Sequence, residues 1–372
     1  MKKLLSILLV VCLLVTSVFS ASVYAESTYD LTAKTLTMSE LNGKYKTQGR
    51  TILQNDVLMM HYPATGIEFN AYCSGDVSVT FNVTSLASET AGCYFTVIVD
   101  GVTMNRETCH ITKTGDVTIK IAEGLEVGNH TFKLYRQNEI THANLGVKSI
   151  DLSGEVLDAP ANSDTYIEFV GASQWGGWGN LADSTIAKDE ASSATYQDAT
   201  QGLTYLTAQK QNADWSVVSV GGIGAYWCNL GYSMNTAYDY FGYYNDKATL
   251  YDYPRQPDYV VIGLGTNDVS KAEENGKTEE DIYEAFNYFI RLMRIKNPNA
   301  KIIWVHGMMT DAVDKYVEKA VEDLGGAAYG VYNVKVTQNN DGGSSHPSAE
   351  GHAVIAEEVS AFIDTIKDDL HR

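Results

Sequence analysis

Ser173 and His346 are the residues of this 372-residue chain whose types and settings suit nucleophilic catalysis. Ser173 closes Gly171-Ala172-Ser173, directly after the apolar run that starts at Ile167 and before a loop carrying Trp175 and Trp178. A serine hydroxyl becomes a competent nucleophile when a base within hydrogen-bonding reach takes its proton. Among eight histidines, His346, in Ser345-His346-Pro347-Ser348, lies on a distant element that can fold across strand ends. His61, His110, His130 and His142 fall in the strand-rich first third and His371 in the tail; His306, which ends a strand, is the weaker alternative base, and His352 faces the last helix or its cap. Attack on an acyl group drives negative charge onto the former carbonyl oxygen, where preorganised N–H donors act most strongly. The backbone amides of Ser173 and Gly222 and the side-chain amide of Asn267 are the expected donors. Gly222 belongs to Gly221-Gly222-Ile223-Gly224 and Asn267 to Gly265-Thr266-Asn267-Asp268. Asp268 is expected to brace the Asn267 turn by accepting backbone hydrogen bonds.

Each of these blocks follows an apolar run. Strands are expected near Ile167–Gly171, Ser216–Val220, Tyr259–Leu264, Ile302–His306 and Val331–Val336, with helices near Ser192–Gln211, Glu279–Lys296, Thr310–Leu324 and Ala349–Asp368. Strand-helix alternation implies a mostly parallel five-stranded sheet covered by helices, with ligands at the carboxyl ends of its strands. The first third reads differently. Val77–Val83, Cys93–Val99 and His130–Tyr135 alternate apolar and polar residues between turn signals, which implies an antiparallel sandwich. The chain therefore divides into a leader over residues 1–25, a sandwich over 26–155, a Pro160-containing linker over 156–164 and an α/β/α domain over 165–372.

The leader has Lys2 and Lys3, an apolar run from Leu4 to Val15, and small-residue positions at Val23 and Ala25, the pattern of a secretory signal. The expected product is a free extracellular protein with no membrane attachment after signal removal. With 46 acidic against 27 basic residues and a net charge of −19, nucleic-acid partners are excluded as a general mode. Cys73, Cys93, Cys109 and Cys228 allow one disulfide in the sandwich, its pairing open, and show no metal-binding spacing. No metal or other cofactor is expected. His306, His346 and His352 form no zinc ligand set, and the glycines form no phosphate-binding loop.

The ordered blocks resemble those of the SGNH, or GDSL-like, hydrolases: Gly171-Ala172-Ser173, Gly222, Gly265-Thr266-Asn267-Asp268 and His346-Pro347. The whole mature chain resembles the second family of carbohydrate esterases, in which a small jelly roll precedes a flavodoxin-like SGNH domain. Gly49-Arg50, Val99-Asp100-Gly101 and Gly128-Asn129-His130 look like turns and strands of that jelly roll. The resemblance implies an esterase with Ser173 as nucleophile, His346 as general base and acid, and Ser173, Gly222 and Asn267 as oxyanion partners. It further implies acetylated plant polysaccharides or oligosaccharides, such as those of xylan or glucomannan, as substrates. Two departures stand out. Ala172 replaces the usual acidic residue before the nucleophile, and Gly343 stands where an aspartate normally precedes the histidine by three. Some members of the resembled family use a Ser-His dyad oriented by a backbone carbonyl; Asp341 is the other group placed to orient His346. Trp175, Trp178, Tyr226 and Trp227 are expected walls for sugar rings, and the tyrosine-rich insertion from Ala225 to Pro257 is expected to line a cleft or pack as a cap. The competing function is a non-catalytic glycan-binding or surface interaction protein built on a degenerate hydrolase cleft.

Overall fold

The computed structural model describes residues 29–228 and 230–369; the expected leader lies outside them. The N-terminal domain is a ten-stranded antiparallel sheet, dominated by three long strands, Gly66–Leu86, Gly115–Arg136 and Ala143–Val156. Register shifts at Cys73/Gly75 and Gly75/Val77 interrupt the ladder between the first two. Such bulges bend strands, so the sheet curls around a core as a jelly roll. The period-two pattern is obeyed where it was read: Val77, Val79, Phe81 and Val83 are buried while Ser78, Thr80 and Asn82 are half-buried. Phe69 stacks on Phe132 and Phe81 tilts on Phe95, each with ring centroids 4.8 Å apart. Cys73, Cys93, Cys109 and Cys228 are all free thiols. The first three are buried and fill core positions as small apolar side chains, so the disulfide that their number allowed is not formed.

The C-terminal domain has a five-stranded parallel sheet in the order Asp214–Ser219, Tyr166–Gly171, Tyr259–Gly263, Lys301–His306, Val331–Lys335. Alternate strand residues face opposite helical layers. Val170, Val218, Val260, Ile262, Ile302 and Trp304 pack with Phe286, Phe289, Ile290 and Val317. Phe169, Val217, Val261, Ile303 and Val305 pack with Leu203, Ile355, Val359 and Ile363. Burial on both faces explains why these strands read as continuous apolar runs. Helix Glu279–Lys296 starts at a Thr278/Asp281 capping box, and helix Ala349–Ile366 starts where the Ser348 hydroxyl accepts from the Gly351 N–H.

Two helices differ from expectation. The stretch read as Ser192–Gln211 breaks into 3-10 turns at Ala194–Tyr196 and Ala199–Gln201 before helix Leu203–Lys210. Ser193 and Asp198 side chains accept the Thr195 and Thr200 N–H groups, an alternative to helical pairing. Arg106 and Asn138 of the sandwich donate to the carbonyls of Ala194 and Gln197. The helix expected from Thr310 begins at Asp314, whose carboxylate bonds His306 and Lys335.

The segment expected to link the domains is tied down. Lys46 donates to Ala161 O at 3.1 Å and Arg255 to Ser163 O at 2.6 Å. The domains also share a buried interface. Gly49 N donates to Trp215 O at 2.8 Å and Gln48 Oε1 accepts from Trp215 N at 3.0 Å, which covers the edge strand of the parallel sheet. Arg50, fully buried, pairs with Glu168 at 3.0 Å and donates to the carbonyls of Tyr238 and Tyr240.

Candidate active site

The first strand ends at Gly171, and a tight 3-10 turn at Ser173–Gly176 follows at once. Trp175 makes this turn possible. Its ring occupies the space that side chains at Gly171 and Gly263 would need, since an added Cβ would lie 2.5 Å and 2.0 Å from it. Its Nε1 donates to Val261 O at 3.3 Å. At 2% exposure, Trp175 is the floor beneath the Ser173 turn, which corrects its reading as a sugar wall.

His346 reaches Ser173 from the loop before the last helix. Ser173 Oγ and His346 Nε2 lie 2.8 Å apart, and His346 Nδ1 lies 3.1 Å from the Ser344 carbonyl oxygen. With the proton on Nδ1 donated to that carbonyl, the Nε2 lone pair faces the serine. Two successive non-glycine residues, Ser344 at φ 54° and Ser345 at φ 59°, turn the loop back on itself. Such left-handed conformations cost free energy and persist where the surroundings enforce them. Here the Gly342 N–H donates to His346 O at 2.8 Å and the Gly343 N–H to Gly179 O at 2.9 Å.

The missing acid is a matter of space as well as composition. An added Cβ at Gly343 would lie 2.7 Å from Ala191 Cβ and 2.9 Å from Ala182 Cβ. Asp341 accepts from the Asn339 side chain at 2.8 Å, so of the two groups considered for orienting His346, the carbonyl occupies the position. Burial, with Lys188 nearby, pulls the His346 imidazole down to about 4 against the opposing effect of the Ser344 bond.

Ser173, Gly222, Asn267, Trp178 and His346 line one cavity of about 530 Å³ at the strand carboxyl ends. The N–H groups of Ser173 and Gly222 have no partner among the described residues. Asn267 Nδ2 donates one hydrogen to Ile223 O at 2.8 Å, leaving its second for a ligand. Trp178 packs on His346 at a ring separation of 4.3 Å, so it touches both that imidazole and the cavity.

Tyr226 and Trp227 stand apart from the cavity lining. Trp227 is buried and donates through Nε1 to Asp268 O at 2.8 Å. Tyr226 is exposed and meets Trp227 and Tyr288 edge-on. Three tyrosines of the following insertion turn inward: Tyr238, Tyr251 and Tyr253 surround the Arg50 guanidinium at 4.6 to 5.1 Å. Asp268 braces the neighbouring loop rather than its own turn, accepting from the N–H groups of Ala225, Tyr226 and Trp227. Burial raises its carboxyl despite these bonds.

The sandwich also supplies lining residues that the sequence did not mark, among them Glu139, Thr141 and His142. His142, set aside by its position, bonds Gln197 Oε1 at 3.0 Å. Burial and Arg136 pull it down to about 4. His306 and His352 stay outside the lining; the first bonds Asp314 and the second accepts from Leu203 N.

Comparison with known proteins accounts for both halves. The model for the carbohydrate esterase 2 N-terminal domain matches residues 47–160, and the model for GDSL-like lipase/acylhydrolase matches residues 161–359. The chain is 28% identical over 285 residues to the cellulase/esterase CelE of Acetivibrio thermocellus, covering 73% of this chain but only 34% of that protein. It thus spans about a third of the length of that relative. An acetylxylan esterase/glucomannan deacetylase of Cellvibrio japonicus is 23% identical, with 91% of this chain and 93% of the relative covered. Among solved structures, a family two carbohydrate esterase from Clostridium thermocellum, in complex with cellohexaose, superposes with a TM-score of 0.78 at 25% identity. The match covers 88% of this chain and 100% of that one.

Proposed function

Because the chain is a carboxylic ester hydrolase of the GDSL-like lipase and acylhydrolase family, with the N-terminal domain of carbohydrate esterase family 2, we propose that it removes O-acetyl groups from plant polysaccharides such as xylan or glucomannan, outside the cell, through a Ser-His dyad. The observation that carries this reading is the 2.8 Å contact of Ser173 Oγ with a neutral, carbonyl-oriented His346. In the proposed reaction His346 Nε2 takes the Ser173 proton as Oγ attacks the acetyl carbonyl carbon. The resulting oxyanion is received by Ser173 N, Gly222 N and the free Asn267 N–H. Collapse breaks the bond to the sugar oxygen, which leaves with the proton from His346. Water, deprotonated by the same imidazole, then attacks the acetyl-enzyme and releases acetate. Trp178 offers an aromatic face to the sugar beside the ester.

The test is acetate release from acetylated xylan and acetylated glucomannan by wild type and Ser173→Ala. Robust release that falls by at least about 10³-fold in the variant is expected, from the scale of nucleophile deletions in serine hydrolases. A folded wild type that releases nothing from either glycan or from a small acetyl ester would sink the proposal and favour non-catalytic glycan binding.

A further inference from the structure

Glu139 enters the catalytic cavity from the other domain, on the loop that joins two long sandwich strands. It is 2% exposed, and its Oε2 accepts the Gly221 N–H at 3.1 Å. The carboxyl fills the space beside Gly221, where an added Cβ would lie 2.9 Å from Oε2 and 3.0 Å from Oε1. Its Cγ lies where a Cβ on Gly176 would meet it at 3.3 Å, at the end of the turn that opens with Ser173. One side chain thus rests against both loops that carry the backbone oxyanion donors. Oε1 is buried with no hydrogen-bond partner among the described residues.

The sandwich holds this side chain firmly. Arg136, fully buried, donates to the carbonyls of Met60, Asn138, Glu139 and Ala143. A guanidinium bonded to four carbonyls spans the base of the 138–143 loop and fixes its path. Thr141 adds a longer contact to Oε2 at 3.4 Å. The sandwich extends no comparable support to Asn267, which is held by its own domain through Ile223.

We propose that Glu139 is a positioning residue for the oxyanion-binding loops, so that the sandwich domain completes the active site of the esterase. The Gly221 and Gly222 N–H groups flank one Cα, and anchoring the first limits where the second points. Gly222 has φ 77°, a conformation in which glycine is free to wander, so an external anchor matters there. Burial pushes the Glu139 carboxyl up to about 7, while the Gly221 N–H, Thr141 hydroxyl and Arg136 act in the opposite direction. The Tyr232 hydroxyl, buried and without a partner among the described residues, is a further titratable group that senses the Glu139 charge. A carboxyl that is substantially neutral in this setting holds the loop without placing a full negative charge beside a developing oxyanion.

The inference rests on the serine esterase reading, and the test separates the two. Full-length wild type, Glu139→Gln, Glu139→Asp and Glu139→Ala are compared at pH 6 for kcat and KM on 4-nitrophenyl acetate. The rate at which a fluorophosphonate labels Ser173 is measured in parallel. Glutamine keeps the acceptor oxygen in reach of Gly221 and is expected to retain kcat within about threefold. Aspartate withdraws it by one methylene, and alanine removes it. Both are expected to lower kcat by about 10- to 100-fold and slow labelling in step, with KM within about twofold, because misplacing a transition-state donor acts on the chemical step. If alanine does not fold, as judged by circular dichroism, the aspartate and glutamine pair carries the comparison. Aspartate with wild-type kcat, or glutamine as impaired as aspartate, overturns the inference. A wild type that is labelled normally while Glu139→Asp is labelled at the same rate overturns it alone; a wild type that is not labelled at Ser173 overturns the esterase reading and the inference together.

Discussion

Arg50→Met is expected to destabilise the protein by about 3–5 kcal/mol, the scale for removing one partner of a buried ion pair. Arg50 is fully buried and Glu168 is 2% exposed. Methionine fills much of the same volume but leaves the Glu168 carboxylate with only the Tyr238 hydroxyl and no cation in contact. The carbonyls of Tyr238 and Tyr240 lose their guanidinium donor, and three tyrosine faces lose a cation. Adding Glu168→Gln to Arg50→Met removes the orphaned charge and is expected to recover about 2 kcal/mol, seen as non-additivity in a double-mutant cycle. The assay is guanidinium unfolding followed by far-UV circular dichroism and tryptophan fluorescence. Since Arg50 bridges the domains, the single variant is also expected to separate the two signals into distinct transitions. A loss below about 1 kcal/mol, or single-variant losses that add without coupling, would refute the argument that this pair locks the sandwich to the catalytic sheet.

The remaining predictions concern the proposed Ser173–His346 dyad. With the His346 imidazole held down near 4 by burial, its neutral, proton-accepting form is populated above that pH, so the acid limb of kcat/KM is expected near pH 4. A limb near 6.5, the ordinary histidine value, would show that the imidazole is solvated in the working enzyme. Gly343→Asp, which restores the usual acid position in sequence, is expected to lower both activity and melting temperature. Its Cβ collides with Ala182 and Ala191, and overpacking of this kind costs about 1–3 kcal/mol. A gain in kcat at unchanged stability, measured by thermal unfolding and ester turnover, would count against the view that the loop is built around a carbonyl.

The elements that carry Ser173, Gly222, Asn267 and His346 were legible because a parallel strand buried on both faces must be apolar along its length, and the polar or glycine residue that ends the run marks the sheet edge where ligands collect. Residues supplied across the domain interface had no such mark. Glu139 sits in the polar string Arg136-Gln137-Asn138-Glu139, which by composition is an exposed loop; its burial comes from docking against Gly221, a contact 82 residues away in the chain. The aromatic residues misled for a related reason. Proximity in sequence to a nucleophile does not say on which side of the backbone a ring falls, and the 3-10 turn after Ser173 sends Trp175 beneath it while Trp178 comes out beside His346. The glycines held the missing information, since Gly171 and Gly263 leave a hollow with the dimensions of an indole. Two small residues at neighbouring strand ends, Gly171 opposite Gly263 in register, require something large to fill the space between the sheet and the turn, and the nearest large apolar side chain is the one that a tight turn can fold back.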